Sequence, residues 1–225
     1  MPLRAVKPQH ETRTRILDAA EELFMQHGFG GTSMRLLTSR AGVNLAAVNY
    51  HFGSKDALIE AVFRRRLDPM NAARIARLDE LEAEAAGRAL APESIIRAFI
   101  SPGLRMIEDT RGGGRNFIRL LGRTYTESAK AIRALIGQMY APVMARYKSA
   151  FERALPHMPR EELVWRMHFM FGTLAYTLAA TDSVQLIAGC KPEDRHDARL
   201  LEDRLAAFLA SGLNAPLKNS IKKAA

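Results

Sequence analysis

The chain has 225 residues, is 48% hydrophobic and carries a formal charge of +9. That supplies one large core or two smaller ones, and no apolar run reaches the roughly 18 residues that a membrane-crossing helix needs. One cysteine, Cys190, excludes an internal disulfide and fits a reducing compartment.

The opening MPLRAVKPQHETRTR has no apolar core of a secretion signal, so the expected location is the cytoplasm. Residues 1–10 read as a flexible arm: Pro2 and Pro8 interrupt regular structure, and Arg4 and Lys7 add charge. Such an arm is either solvated or touches a DNA backbone or minor groove. Glu11 to His27 follows as an amphipathic helix, with Ile16, Leu17, Ala20, Leu23 and Phe24 at three- and four-residue spacing and Gly28 to end it.

Two short helical patterns come next. Thr32 is placed to cap Ser33–Ala41, Gly42 supplies the turn, and Asn44 caps Leu45–His51. A helix, a tight turn and a second helix form the arrangement whose second member enters a DNA major groove. That second helix offers small or hydrogen-bonding side chains and no carboxylate. Basic residues are denser here: residues 1–66 hold 10 Lys/Arg against 6 Asp/Glu, a net +4, and residues 67–225 hold 23 against 18, a net +5.

Ser54 opens a longer helix that is expected to run to about Arg66, pause near Pro69 and resume through Ala85, connecting the head to the rest. Arg64-Arg65-Arg66 reads as a solvated face, with a phosphate contact as the alternative. Helical spacing returns over 93–109, 115–129, 131–154, 160–188 and 194–212, separated by glycine- or proline-bearing breaks. No stretch alternates as a strand does, so the fold class is all-α. The expected divisions are the arm (1–10), a helix-turn-helix domain (11–53), a helical effector-binding and dimerisation domain (54–213) and a disordered tail (214–225).

Catalytic and metal chemistry is not written into the chain. Gly112-Gly113-Gly114 lacks the preceding strand and the Gly-Lys-Ser/Thr ending of a phosphate loop. His157 and His168 have no metal-ligand spacing, and no GxSxG elbow presents a nucleophile. Cys190 and Glu161-Glu162 read as structural. No cofactor, metal or enzymatic role is expected.

The C-terminal helices are rich in Met and aromatic residues, which line adaptable apolar pockets. The candidate lining residues are Phe99, Met106, Phe117, Leu120, Leu121, Tyr140, Met144, Trp165, His168 and Phe169. Arg119 and Arg123, four apart on one face, are candidates to hold an acidic head group. The Met167–Leu178 stretch is almost continuously apolar and suits a subunit interface. Phe171, Leu174, Ala175 and Leu178, with Leu205, Phe208 and Leu209 from the last helix, are the expected interface residues of a two-fold four-helix packing.

ILDAAEELF, the G-F-x-x-T-S turn, A-G-V and the Y-H-F-x-S-K ending, all within residues 12–63, closely resemble the DNA-binding domain of TetR-family transcriptional repressors. The resemblance implies an all-helical homodimer of about nine helices per chain, with an effector domain that dimerises through its last two long helices. It implies that Thr32, Arg35, Asn44, Tyr50, His51 and Lys55 contact phosphates of an operator duplex. It also implies that Leu45, Ala46, Ala47 and Asn49 face base edges. Asn49 departs from the aromatic residue common at its position, and an Asn can pair with adenine N6 and N7. The segments FIRLLGR and LVWRMHFMFG, with the head, are similar to the branch that senses long-chain fatty acids or their CoA thioesters. That likeness implies a small hydrophobic effector.

Overall fold

Lys7–Gly31 forms α1, earlier than Glu11, so the expected arm gives up its last four residues to a helix. The computed structural model describes residues 7–109, 113–126, 130–179 and 197–217. Pro8 fits because a proline within the first helical turn removes only an N–H that had no partner there. Gly28 breaks α1 as the sequence suggests: its φ of 70° lies in the left-handed region, and one further turn follows.

The head is completed by α2 (Met34–Ala41) and α3 (Leu45–Phe52). Ser33, not Thr32, caps α2, its hydroxyl accepting from the Leu36 amide at 3.1 Å. Thr32 is buried and donates instead to the carbonyls of Leu23 and Gly28 at 3.1 and 2.9 Å, closing the broken end of α1. Gly42 takes the left-handed conformation between α2 and α3, and the Val43 amide donates to the Thr38 carbonyl at 3.1 Å. Leu37, Ala41 and Val48 turn inward onto Ile16, Leu17, Ala20 and Phe24 of α1.

α4 (Lys55–Ala85) is one continuous helix, without the expected pause. Pro69 is exposed, and the hydrogen bond it deletes is a single one to the Arg65 carbonyl. The buried stripe of Leu58, Val62, Phe63, Leu67, Met70, Asn71, Arg74 and Leu78 runs on both sides of it, so packing outweighs the lost bond. The five helices after it are α5 (Pro92–Glu108), α6 (Gly114–Thr126), α7 (Lys130–Ala154), α8 (Arg160–Ala179) and α9 (Ala198–Asn214). α5 lies against α9, α6 against α8, and α4 against both α5 and α7. The parts of the expected helices beyond Ala179 and before Asp197, Cys190, and the tail from 218 onward lie outside the described residues. No described helix is long and apolar enough to cross a membrane.

α6 joins the head to the remaining helices. Phe24, Phe29, Phe63 and Phe117 form a chain of ring contacts 5.3 to 5.9 Å apart that passes from α1 through α4 to α6. Beside it, Glu21 of α1 is 3% exposed. It accepts from Arg65 Nη2 at 2.5 Å and from Arg66 Nη2 at 2.9 Å, while Arg65 Nη1 donates to Asp18 at 2.6 Å. Arg65 and Arg66 are therefore not a solvated face; they tie α4 to α1. Only Arg64 of the three stays on the surface, paired with Glu60. Gly113 closes over this cluster: a Cβ there would lie 2.9 Å from Glu21 Oε1, at a φ of 80°.

Candidate functional site

α3 presents one outward face. Leu45, Ala46, Asn49 and Tyr50 are exposed along it, Ala47 and His51 are half-buried at its edges, and Val48 is buried beneath. Asn44 accepts from the Ala47 amide at 2.8 Å, so its Oδ1 is committed to capping and its Nδ2 is the group left to face outward. Tyr50 is 74% exposed, and its ring meets that of His51 edge-on at 5.2 Å. Arg35 of α2 is exposed, and Lys55 sits at the start of α4, where Ser54 Oγ caps the Ala57 amide and the helix N-terminus favours anions. Buried Thr32 is not on this face, which corrects its expected phosphate contact.

The orientation of α3 is fixed by contacts behind it. Arg40 of α2 clasps Glu22 of α1 through Nε at 2.9 Å and Nη2 at 2.6 Å. Arg15 Nη2 donates to the Gly42 carbonyl in the turn at 3.2 Å, and the Arg13 guanidinium lies 5.3 Å from the Phe52 ring centroid. A rigid helix whose exposed face lacks acid, flanked by cations and a helix N-terminus, can enter a groove and engage phosphates without reorganising.

A cavity of about 310 Å³ opens between α4, α5, α6, α7 and α8. Of the expected lining residues, Phe99, Leu121, Tyr140 and Met144 are on its wall. Phe117 and Leu120 are buried but outside it, Phe117 being spent on Phe63, and Met106 is half-buried elsewhere. Arg119 does not line it, and the Arg123 side chain lies outside the described residues. The arginines on the wall are Arg74 and Arg133, neither of which the sequence singles out as a ligand contact. A signal for Arg74 is nonetheless present: it falls at helical spacing with Phe63, Leu67, Met70 and Leu78, a cation within an apolar stripe.

The two faces of α8 are the reverse of the expectation. Trp165, His168 and Phe169 point away from the cavity and are exposed, Trp165 by 57% and Phe169 by 62%. Phe171, Leu174, Ala175 and Leu178, expected at a subunit interface, line the cavity instead. Leu205 and Leu209 are buried in the protomer's own core, and Phe208 alone of that group is outward, at 67% exposure. Val164, Trp165, Phe169 and Tyr176 on α8, and Phe208 on α9, are therefore the exposed large apolar side chains of these two helices among the described residues.

Among the described residues there is no cluster of three or more His, Cys, Asp or Glu able to hold a metal. Burial raises the Tyr147 hydroxyl well above its ordinary range, and that hydroxyl donates to the Arg74 carbonyl at 2.8 Å, a structural bond across α4 and α7.

Residues 16–62 match the family model of bacterial regulatory proteins of the tetR family, and residues 97–212 match that of the tetracyclin repressor-like C-terminal domain. Over 51 residues the chain is 43% identical to the HTH-type transcriptional regulator UidR of Escherichia coli K12, a match covering 23% of this chain and 26% of that protein. It is 33% identical over 58 residues to the HTH-type transcriptional repressor KstR2 of Rhodococcus jostii RHA1, covering 26% of this chain and 28% of that one. The chain thus spans about a quarter of the length of each of these two relatives. Similar folds include the transcriptional regulator FadR from Bacillus subtilis in complex with stearoyl-CoA, with a TM-score of 0.63 at 16% identity, covering 88% of this chain and 98% of that one. A TetR-like transcriptional regulator from Rhodococcus sp. RHA1 has a TM-score of 0.61 at 18% identity, covering 96% and 100%.

Proposed function

Since the chain belongs to the TetR family and is a DNA-binding transcriptional regulator, we propose that it is a cytoplasmic homodimeric repressor released from its operator by a small hydrophobic effector with a long acyl chain. The observation that carries this reading is the apolar cavity between α4 and α8, because α4 runs without interruption from that cavity to the foot of α3. Met70 and Arg74 line the cavity, and Lys55 stands at the other end of the same helix. A ligand that spreads the cavity wall tilts α4, and α6, which carries Ile118 and Leu121 on the wall and Phe117 against Phe63, moves with it. The result is a population shift between head spacings that fit and do not fit a two-fold operator. A coupling of ~1–3 kcal/mol is enough to release most of the bound protein. The FadR structure with stearoyl-CoA supports a lipid effector through shared fold.

In this reading Leu45, Ala46, Ala47 and Asn49 face base edges, and Arg35, Asn44, Tyr50, His51 and Lys55 meet phosphates. Operators selected from random duplex DNA, with binding measured over a salt series, test it. Asn49→Ala is expected to lose discrimination at a subset of operator positions, at about 1–3 kcal/mol each. Lys55→Ala is expected to weaken binding to every sequence and reduce the log–log salt slope by about one per head. Equal, sequence-blind losses from both substitutions contradict direct reading by Asn49.

A further inference from the structure

Arg74 is a buried cation on the cavity wall that an all-apolar ligand leaves unexplained. It is 5% exposed, and its Nε and Nη1 hydrogen bonds go to a carbonyl and an amide rather than to a carboxylate. Its Nε donates to the Phe99 carbonyl at 2.8 Å and its Nη1 to Asn71 Oδ1 at 3.0 Å, and Asn71 is itself held by donation to the Met139 carbonyl at 3.2 Å. The guanidinium stacks on Phe99 at 4.0 Å and faces Tyr140 at 5.4 Å. These contacts fix its plane and leave Nη2 without a hydrogen-bond partner among the described residues.

That nitrogen stands at the cavity wall. A Cβ on Gly103, which also lines the cavity, would lie 3.6 Å from it, so the missing side chain of Gly103 keeps Nη2 uncovered. The described lining contains no Asp or Glu, and its second cation is Arg133. A buried cation carries a large desolvation cost that ring faces and a neutral amide offset only in part. The missing term is an anion delivered by the ligand.

We infer that the effector is a free carboxylic acid with an apolar body, its carboxylate accepting from Arg74 Nη2 and its chain lying along Ile100, Leu121, Met144 and Leu174. This rests on the reading of the cavity as the effector site. A CoA thioester replaces the carboxylate by a neutral carbonyl, so its acyl end brings no anion to Arg74 Nη2. The site therefore favours the free acid over its thioester. Nε is already occupied by the Phe99 carbonyl, so the side-on fork of Nε and Nη2 is closed and Nη2 carries the contact.

Calorimetric titration of the full-length protein with straight-chain acids from octanoate to palmitate, the chain-matched primary alcohols and the chain-matched CoA thioesters tests this. The native protein is expected to bind an acid more tightly than its alcohol by about tenfold or more, as a charge-assisted hydrogen bond predicts. Arg74→Met, close in volume and uncharged, is expected to bring acid and alcohol within about twofold of each other. Arg74→Lys retains part of the preference and covers the case in which Arg74→Met does not fold. Equal binding of acid and alcohol by the native protein, or an acid preference that survives Arg74→Met, overturns the carboxylate contact but leaves an apolar effector standing. Tighter binding of the thioester than of the acid overturns the free-acid assignment. Binding of none of the three sets overturns both the inference and the acyl-chain reading beneath it.

Discussion

In the proposed homodimer, replacing Phe169 and Phe208 together by Asp is expected to separate the subunits and remove operator binding. Both side chains are exposed in the protomer, by 62% and 67%, so the substitutions leave its own core intact. They sit on the outward faces of α8 and α9, where Trp165 and Tyr176 add exposed aromatic surface. Each buried phenyl ring contributes about 1.5–3 kcal/mol to an association, and two-fold symmetry makes each substitution count twice. Four new carboxylates in an apolar seam add desolvation and like-charge cost, so the dimer dissociation constant is expected to rise by about a hundredfold or more. Sedimentation at micromolar concentration reads the mass, and a thermal melt reads the fold. A variant that stays dimeric shows that another surface pairs the subunits. Leu205→Asp is the contrast: Leu205 is buried in the protomer, so that change unfolds the chain rather than dissociating it.

Glu21→Gln is expected to destabilise the protein by about 2–4 kcal/mol, below the range for a fully buried broken ion pair because Arg65 and Arg66 keep 23% and 19% of their side chains in solvent. The substitution removes the carboxylate shared by two guanidinium groups and leaves an amide whose NH₂ faces donors. Asp18→Asn is the control. Its side chain is 62% exposed in a pair with Arg65, so a loss under about 1 kcal/mol is expected. Urea unfolding of the two variants measures both. Equal effects would mean that the burial of Glu21 adds nothing to its ion pairs. Because the Glu21 cluster lies where α1, α4 and Gly113 before α6 converge, Glu21→Gln is also expected to blunt the effector response.

Much of the architecture is legible in the sequence. Three- and four-residue spacing locates the helices, and Gly28, Gly42 and Gly53 mark the breaks of the head because a positive φ is needed at each. What sequence periodicity could not settle is the rotation of a helix that is apolar all round. α8 carries Trp165, Phe169, Phe171 and Leu174 on every side, so no polar stripe fixes which face turns inward, and its inner and outer residues exchange roles relative to the expectation. Charged residues mislead in the opposite sense. Arg65 and Arg66 read as surface cations, yet a carboxylate from α1 draws them inward, and a carbonyl and ring from α5 hold Arg74 in the same way. Those partners lie 25 to 45 residues away in sequence, beyond any local pattern. Thr32 shows the same limit at short range, since both it and Ser33 can cap a helix and only the break at Gly28 assigns the buried hydroxyl.

If the α4–α8 cavity is the effector site, filling it weakens operator binding by the dimer. The direct measurement is operator affinity of the purified protein at graded concentrations of free acids and acyl-CoA thioesters, with ligand occupancy followed in the same samples. A saturable loss of affinity of about tenfold, tracking occupancy, is the predicted result. That loss should be absent in Met144→Trp, where an indole occupies the cavity wall. Unchanged operator affinity at full occupancy would contradict the coupling of cavity to head.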